Sequence, residues 1–170
     1  LASPLEGVDD IRAAYESLPE RVLTPGSSLH QSCAAVVRRH ARDIEAALSD
    51  PIEELADERV LILSPMEPPL AWGSGTWMDD LLAALGGTNA VQARGWVPLG
   101  WEDLIRIEAD RIVFVSESEL PPDGTLRSML ARRTGTMVQV LVHPEVHLPA
   151  TSTPEIAAAL RTLLSGSDGS

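Results

Sequence analysis

Residues 60–63 read Val-Leu-Ile-Leu, a continuous apolar run that is typical of a β-strand buried on both faces. Two more strands of this kind are predicted at residues 112–115 and 138–142, and residues 90–92 are an optional fourth strand. The segments between and after these strands have helical spacing, at residues 76–85, 101–107, 125–133 and from 152 onward. Because strands that alternate with helices form parallel βαβ units, the sequence predicts an α/β fold, with a small parallel sheet and helices on both faces.

Two helices are predicted before this α/β unit. The first spans residues 8–18 and is predicted to end at Pro19. The second is the longest in the chain and runs from Ser28, a suitable N-cap, to about Leu48. The sequence therefore predicts a long amphipathic helix leading into the α/β unit.

Composition and charge narrow the class of protein. The chain has 170 residues, of which 44% are hydrophobic and 22% charged, as expected for one soluble globular domain. The net charge of −12 argues against a nucleic-acid partner and against docking on an anionic membrane surface. With a single cysteine, Cys33, the chain has no intrachain disulfide and no cysteine-based metal site. No apolar run is long enough to span a bilayer, and residues 1–4 lack the pattern of a signal peptide.

The tryptophans are the most informative residues in the sequence. Four of the six aromatic residues are tryptophans, and all lie between residues 72 and 101: Trp72, Trp77, Trp96 and Trp101. Large rigid aromatic rings in loops suit flat, bulky ligands. We predict that Trp77 and Trp101, which lie in or at the start of helices, belong to the core. Trp72 and Trp96 are then the candidates for ligand contact.

The loop after the third strand is a second candidate for ligand contact. Ligands of such sheets bind outside the carboxyl ends of the strands, and His143, Glu145 and His147 follow one of those ends. In an extended backbone their odd spacing would place all three on one side. They form either a plain polar loop or a ligand-facing loop in which His147 contacts or coordinates the ligand.

Catalysis and nucleotide binding have little support in the sequence. Residues 73–75 read Gly-Ser-Gly before a helix, but the third glycine and the lysine of nucleotide-binding motifs are absent. The helix start there remains a possible site for an anionic ligand edge. No G-x-S-x-G elbow is present, and the sequence does not place a nucleophile, base and orienting acid together. No catalytic residue and no protein metal site are predicted.

Residues 59–113 resemble the second lobe of the helical-backbone (class III) periplasmic substrate-binding proteins of ABC importers. The matching stretches are Arg59-Val60-Leu61-Ile62-Leu63, Trp72-Gly73-Ser74-Gly75-Thr76-Trp77, Asp79-Asp80-Leu81-Leu82-Ala83-Ala84-Leu85-Gly86-Gly87-Thr88-Asn89, Trp96-Val97-Pro98-Leu99-Gly100-Trp101-Glu102-Asp103-Leu104 and Ala109-Asp110-Arg111-Ile112-Val113. Gly100 stands where that family has a serine. The long helix resembles the rigid connector between the two lobes of such proteins.

The resemblance implies a domain division and a function. Residues 1–27 would be a remnant of the N-terminal lobe, 28–50 the connecting helix, 51–165 the C-terminal ligand-binding lobe and 166–170 a flexible tail. The implied protein is a non-catalytic receptor without a cofactor of its own, in the periplasm or another extracytoplasmic location. It would carry a metal chelate, namely cobalamin, haem or a ferric siderophore, to the permease of an ABC importer.

The resemblance also implies roles for two residues. Trp96 matches an aromatic-bearing ligand loop of the family, and we predict that Trp72, Gly73, Glu145 and His147 join it in a surface that faces the chelate. Glu102 matches the surface glutamate that pairs with permease arginines, and Arg94 is suited to meet an anionic edge of a siderophore. Two other classes of function remain open at this stage: a partner-binding or regulatory module without a transport role, and an accessory domain of an enzyme.

Overall fold

The computed structural model of the protein describes residues 8–120, 126–148 and 152–166. The helices are α1 (Val8–Val22), α2 (Ser28–Leu48), α3 (Trp77–Ala84), α4 (Trp101–Arg106), α5 (Leu126–Thr134) and α6 (Thr153–Ser165). The strands are β1 (Arg59–Ser64), β2 (Leu70–Trp72), β3 (Thr88–Asn89), β4 (Trp96–Pro98), β5 (Arg111–Ser116) and β6 (Met137–Val142). A short 3-10 turn over Glu53–Leu55 precedes β1.

The α/β prediction is confirmed, and the sheet is larger than the three strands predicted. Its order is β4-β2-β1-β5-β6, with β3 beside the start of β1. The three predicted strands, β1, β5 and β6, are parallel neighbours in its centre and at one edge. The strands that sequence patterning missed are β2 and β4, each three residues long and antiparallel to its neighbours, and β3. Strands this short do not show a recognisable alternation of apolar and polar residues.

Helices cover both faces of the sheet, as predicted. Alternate residues of β1 serve opposite faces: Val60 and Ile62 pack with α3 and α6, whereas Leu61 and Leu63 pack with α4 and α5. Residues 60–63 of β1 are wholly buried. Burial on both faces explains why this strand reads as a continuous apolar run rather than an alternating one.

The two helices at the start of the chain differ in detail from their prediction. Pro19 does not end α1, which continues to Val22. A proline inside a helix removes one backbone hydrogen bond, but the chain resumes helical bonding when Leu23 N donates to Pro19 O at 3.0 Å. The N-cap of α2 is Ser27 rather than Ser28, because the Ser27 hydroxyl accepts from His30 N at 3.1 Å.

The long helix α2 is fastened to the α/β unit by its C-terminal end. The Arg161 guanidinium of α6 donates to the backbone oxygens of Ala47 and Asp50, at the point where α2 finishes. Ala47 and Leu48 also pack against the core beneath α3 and α6. Within the described ranges, no helix combines the length and the apolar character needed to cross a bilayer.

Candidate functional site

Two tryptophans form a stack at one side of the sheet. Trp72 of β2 and Trp96 of β4 are direct cross-strand partners, with ring centroids 3.7 Å apart and planes inclined by 47°. Trp72 is fully buried and also meets Trp77 edge-on at 5.7 Å, whereas Trp96 keeps 44% of its surface exposed. We call Trp72 and Trp96 the aromatic stack. Trp96 is its solvent-facing member, and Trp72 supports Trp96 from within the core.

One of the two tryptophans predicted for the core lies there and the other does not. Trp77, the first residue of α3, is 4% exposed and packs in the core as expected, but Trp101 is 46% exposed. The reason is the length of α4, which has only six residues and buries Leu104 alone. A helix of that size has little apolar surface to share with the sheet, so the prediction for Trp101 is wrong.

A hydrogen-bonded chain of side chains runs beside the aromatic stack. The indole N–H of Trp72 donates to Ser64 Oγ at 3.0 Å, and Ser64 Oγ lies 2.9 Å from His147 Nε2. On the other side of the ring, His147 Nδ1 lies 3.2 Å from Glu117 Oε1. These residues follow or end three parallel strands, so the chain crosses the carboxyl edge of the sheet. We call Ser64, His147 and Glu117 the relay.

The relay holds the imidazole ring of His147 against the aromatic stack. The His147 ring lies nearly parallel to that of Trp72, with centroids 5.9 Å apart and an angle of 15° between planes. Its centroid is 6.3 Å from that of Trp96. Sequence reasoning did not include Ser64 or Glu117 in the site. The only signal available was that each sits at the carboxyl end of a predicted strand.

The loop after β6 forms a turn, which separates its three polar residues. Val146 N donates to His143 O at 3.1 Å, Leu148 N donates to Glu145 O at 3.0 Å, and Val146 is fully buried. His143 turns toward α6, where its Nε2 is 3.6 Å from Glu155. Only His147 therefore reaches the aromatic stack. The common side expected for an extended backbone does not occur, because buried Val146 requires the chain to fold over itself.

Glu145 is exposed at this turn, and no ring contact or ion pair joins it to the aromatic stack among the described residues. Its backbone N–H donates to His143 Nδ1 at 3.1 Å. The same described ranges contain no group of three His, Cys, Asp or Glu side chains that could hold a metal ion.

Gly73 lies where two loops meet backbone to backbone. Its N–H donates to Gly95 O at 2.9 Å, and the next residue, Ser74, donates to Ala93 O at 2.9 Å. A Cβ atom at Gly73 would lie 2.0 Å from Ala93 O. Only glycine fits this approach. Gly73 therefore fixes the position of the loop that leads into Trp96.

The N-terminal end of α3 is already occupied by a side chain of the protein. Asp79 accepts from Gly75 N at 2.9 Å through one carboxylate oxygen and from Asn89 Nδ2 at 2.9 Å through the other. Asn89 Nδ2 also donates to Trp72 O at 2.8 Å. The asparagine of the Gly-Gly-x-Asn turn thus ties the end of β2 to the start of α3. An anionic ligand edge would have to displace Asp79, which further disfavours a nucleotide site here.

Glu102 stands apart from the aromatic stack on the first turn of α4. Because β4 runs in the same direction as β1, α4 begins at the carboxyl edge of the sheet. The side chain of Glu102 is almost fully exposed, with Arg106 Nη2 at 3.7 Å one helical turn on. Gly100 takes the N-cap position where the resembled family has serine, and its N–H donates to Asp103 Oδ2 at 3.1 Å.

Comparison of the structure with solved structures identifies the class of fold. A possible iron-binding periplasmic protein from Staphylococcus epidermidis matches 95% of this chain with a TM-score of 0.70 and 14% identity. The periplasmic vitamin B12 binding protein BtuF of Vibrio cholerae matches 95% with a TM-score of 0.71 and 16% identity. The periplasmic heme-binding protein RhuT from Roseiflexus sp. RS-1 matches 94% with a TM-score of 0.57 and 18% identity.

The chain has a central sheet flanked by helices, which is the fold of a lobe of class III periplasmic binding proteins. The predicted resemblance is therefore confirmed at the level of the fold. No family model matches the sequence, and no curated protein is similar to it in sequence. The chain spans 64%, 63% and 62% of the three solved chains, or somewhat under two-thirds of each.

Proposed function

We propose that the chain is part of the substrate-binding component of an ABC importer, and that it binds a bulky metal chelate at the aromatic stack. The observation that carries the proposal is half-exposed Trp96, which rests on buried Trp72 at the carboxyl side of the sheet. Proteins of the same fold are described as binding iron, vitamin B12 or heme. Cobalamin, haem and a ferric siderophore are the chelates we propose for this chain, in the periplasm.

The structure suggests different roles for the residues proposed from the sequence. Trp96 is the proposed ligand contact, because it alone of the aromatic stack has free surface. Trp72 and Gly73 are buried and position Trp96. His147 lies beside the aromatic stack, and Glu145 offers an exposed carboxylate two residues away.

Direct binding tests the proposal. Purified chain is titrated with cyanocobalamin, with ferric protoporphyrin and with a ferric hydroxamate, while tryptophan fluorescence is recorded. We expect saturable quenching by one of the three. Binding to none of them would contradict the receptor function and favour a partner-binding or regulatory module. That module would then be sought by measuring self-association and partner binding of the same sample.

Glu102→Ala is expected to leave chelate affinity unchanged and to weaken docking on the permease about 5-fold. An exposed charge at an interface affects docking more than folding, and within the described residues the Glu102 side chain has one long ion pair, with Arg106. Docking is measured with the importer in lipid nanodiscs. Glu54→Ala is the matched control, because Glu54 is also exposed but lies in the turn before β1, at the opposite edge of the sheet.

Equal losses of docking in the Glu102 and Glu54 variants would show that overall negative charge, not Glu102, attracts the permease. A parallel loss of chelate affinity in Glu102→Ala would assign this glutamate to the ligand site instead.

The relay also has the order of a serine hydrolase triad, which the sequence did not reveal. Serine, histidine and glutamate are hydrogen-bonded in sequence, so the enzyme alternative has a specific observation behind it. Ser64 is wholly buried, however, and its oxygen already accepts the indole N–H of Trp72. A nucleophile needs a free approach for the substrate carbon. We therefore propose a non-catalytic role for this serine.

Treatment with a fluorophosphonate is expected to leave Ser64 unmodified, because the reagent cannot reach a side chain with no exposed surface. Intact-mass spectrometry after incubation checks this result, with Ser64→Ala as the control for modification elsewhere. A stoichiometric adduct that disappears in Ser64→Ala would support the enzyme alternative.

A further inference from the structure

Both ring nitrogens of His147 are engaged within the protein. Nε2 lies 2.9 Å from Ser64 Oγ, and Nδ1 lies 3.2 Å from Glu117 Oε1. A histidine coordinates a metal ion through the lone pair of a neutral ring nitrogen. A nitrogen whose lone pair already accepts a hydrogen bond cannot offer it to a metal without breaking that bond.

The donors along the relay fix the direction of each hydrogen bond. The indole nitrogen of Trp72 can only donate, so Ser64 Oγ accepts from it. An ionised Glu117 can only accept, so in the neutral ring Nδ1 carries the proton and donates it to Glu117. The free lone pair is then on Nε2, and it accepts the hydroxyl proton of Ser64. The neutral form of His147 is therefore the Nδ1–H tautomer.

The hydrogen bonds of the relay place the His147 ring next to the aromatic stack. The imidazole lies almost parallel to buried Trp72 and 6.3 Å from half-exposed Trp96. Its side chain is only 27% exposed, and Ser64 anchors it from inside the sheet. The relay thus holds a flat ring beside the aromatic stack.

We propose that His147 is a positioning residue for the aromatic stack and not a metal ligand. This lobe then binds a chelate whose metal ion has its coordination positions already filled, through the flat or apolar periphery of the ligand. Of the three chelates proposed above, the inference favours cobalamin and a ferric siderophore over haem, whose iron has open axial positions. The inference rests on the proposed function for its ligand class, but the assignment of His147 can be measured without any ligand.

Nitrogen NMR tests the tautomer of His147 directly. Long-range ¹H–¹⁵N spectra are recorded on the labelled full chain at about pH 8, above the usual range of histidine titration. The signals of His147 are identified by their loss in His147→Gln. We expect a protonated Nδ1 and an unprotonated Nε2. A ring protonated at Nε2, or one that averages between both tautomers, would overturn the relay.

Variants at Glu117 separate positioning from general structural support, because this side chain is exposed and its replacement should leave the fold intact. Glu117→Ala is expected to let the His147 ring exchange between its two neutral tautomers and to weaken chelate binding about 3-fold. Glu117→Gln keeps an accepting oxygen and should retain both properties. Glu119→Ala is the matched control, since Glu119 is exposed in the same loop. Equal behaviour of the alanine variants at 117 and 119 would contradict the positioning role.

Ferric protoporphyrin is the probe for coordination, because its iron has open axial positions. We expect the same Soret band for the porphyrin mixed with native protein and with His147→Gln. A shifted band that is lost in His147→Gln would show an iron–histidine bond and refute the inference. Absence of binding by every chelate, together with the expected tautomer, would refute the proposed function but support the hydrogen-bonded state assigned to His147.

Discussion

Gly73→Ala is expected to destabilise the chain by about 3 kcal/mol and to lower chelate affinity at least 10-fold. The added Cβ would lie 2.0 Å from Ala93 O and 2.8 Å from Gly95 O, and both atoms belong to backbone. A clash with a flexible side chain can be relieved by rotation, but here one of the two loops has to move. Overpacking of this kind costs about 1–3 kcal/mol, and the contact with Ala93 is severe enough to place it at the upper limit.

Urea unfolding and chelate titration measure the two effects of Gly73→Ala. The matched control is Gly100→Ala, where the nearest atom to an added Cβ is Asp103 Oδ2 at 3.3 Å, the end of an exposed side chain. That variant is expected to cost less than about 1 kcal/mol, from the weaker N-cap propensity of alanine. If Gly73→Ala folded with native stability, the close approach of the two loops would not exist in solution.

Trp96→Ala is expected to weaken chelate binding about 30-fold while the protein remains folded. A tryptophan at the centre of an interface contributes about 2 kcal/mol or more to binding, which corresponds to a factor of this size. The effect on stability should be smaller, about 1 kcal/mol, because nearly half of the Trp96 surface is already exposed and the loss is mainly its tilted ring contact with Trp72. Isothermal titration calorimetry measures binding without relying on the fluorescence of the residue removed.

Trp101→Ala is a close control for Trp96→Ala. Trp101 has an exposed fraction of 46%, against 44% for Trp96, but no ring contact connects it to the aromatic stack within the described residues. We expect its removal to leave chelate affinity within about 2-fold. Equal losses in the two variants would mean that exposed indole rings bind the ligand without a defined site.

The sequence predicted the central part of the fold well because that part repeats a simple pattern. The continuous apolar runs of β1 and β5 reflect burial on two faces, and the residues flanking α3 carry N-cap and glycine signals. Strands β2 and β4 carried no such pattern. These strands form because β2 pairs with β1 and β4 pairs with β2. Such tertiary pairing cannot be recognised in a short stretch of sequence.

The candidate site was only partly predictable. Its loop position indicated Trp96 correctly as a surface residue, but the same signal also pointed to Trp72, which is buried. The helix-start position of Trp101 pointed to the core, whereas that residue is exposed. Ser64 and Glu117 escaped notice because they lie 83 and 30 residues from His147 in the chain. Their contacts with His147 depend on the order of β1, β5 and β6 in the sheet. That order cannot be read from the residues themselves. The division of the chain into residues 1–27, 28–50, 51–165 and 166–170 stays a prediction.

The guanidinium of Arg161 gives the chain a mechanical property. Its hydrogen bonds to the backbone oxygens at the end of α2 join that helix to α6. Helix α6 in turn packs on the buried face of the sheet through Leu160 and Leu164. A lateral load applied far along α2 would then be transmitted to the whole lobe as torque.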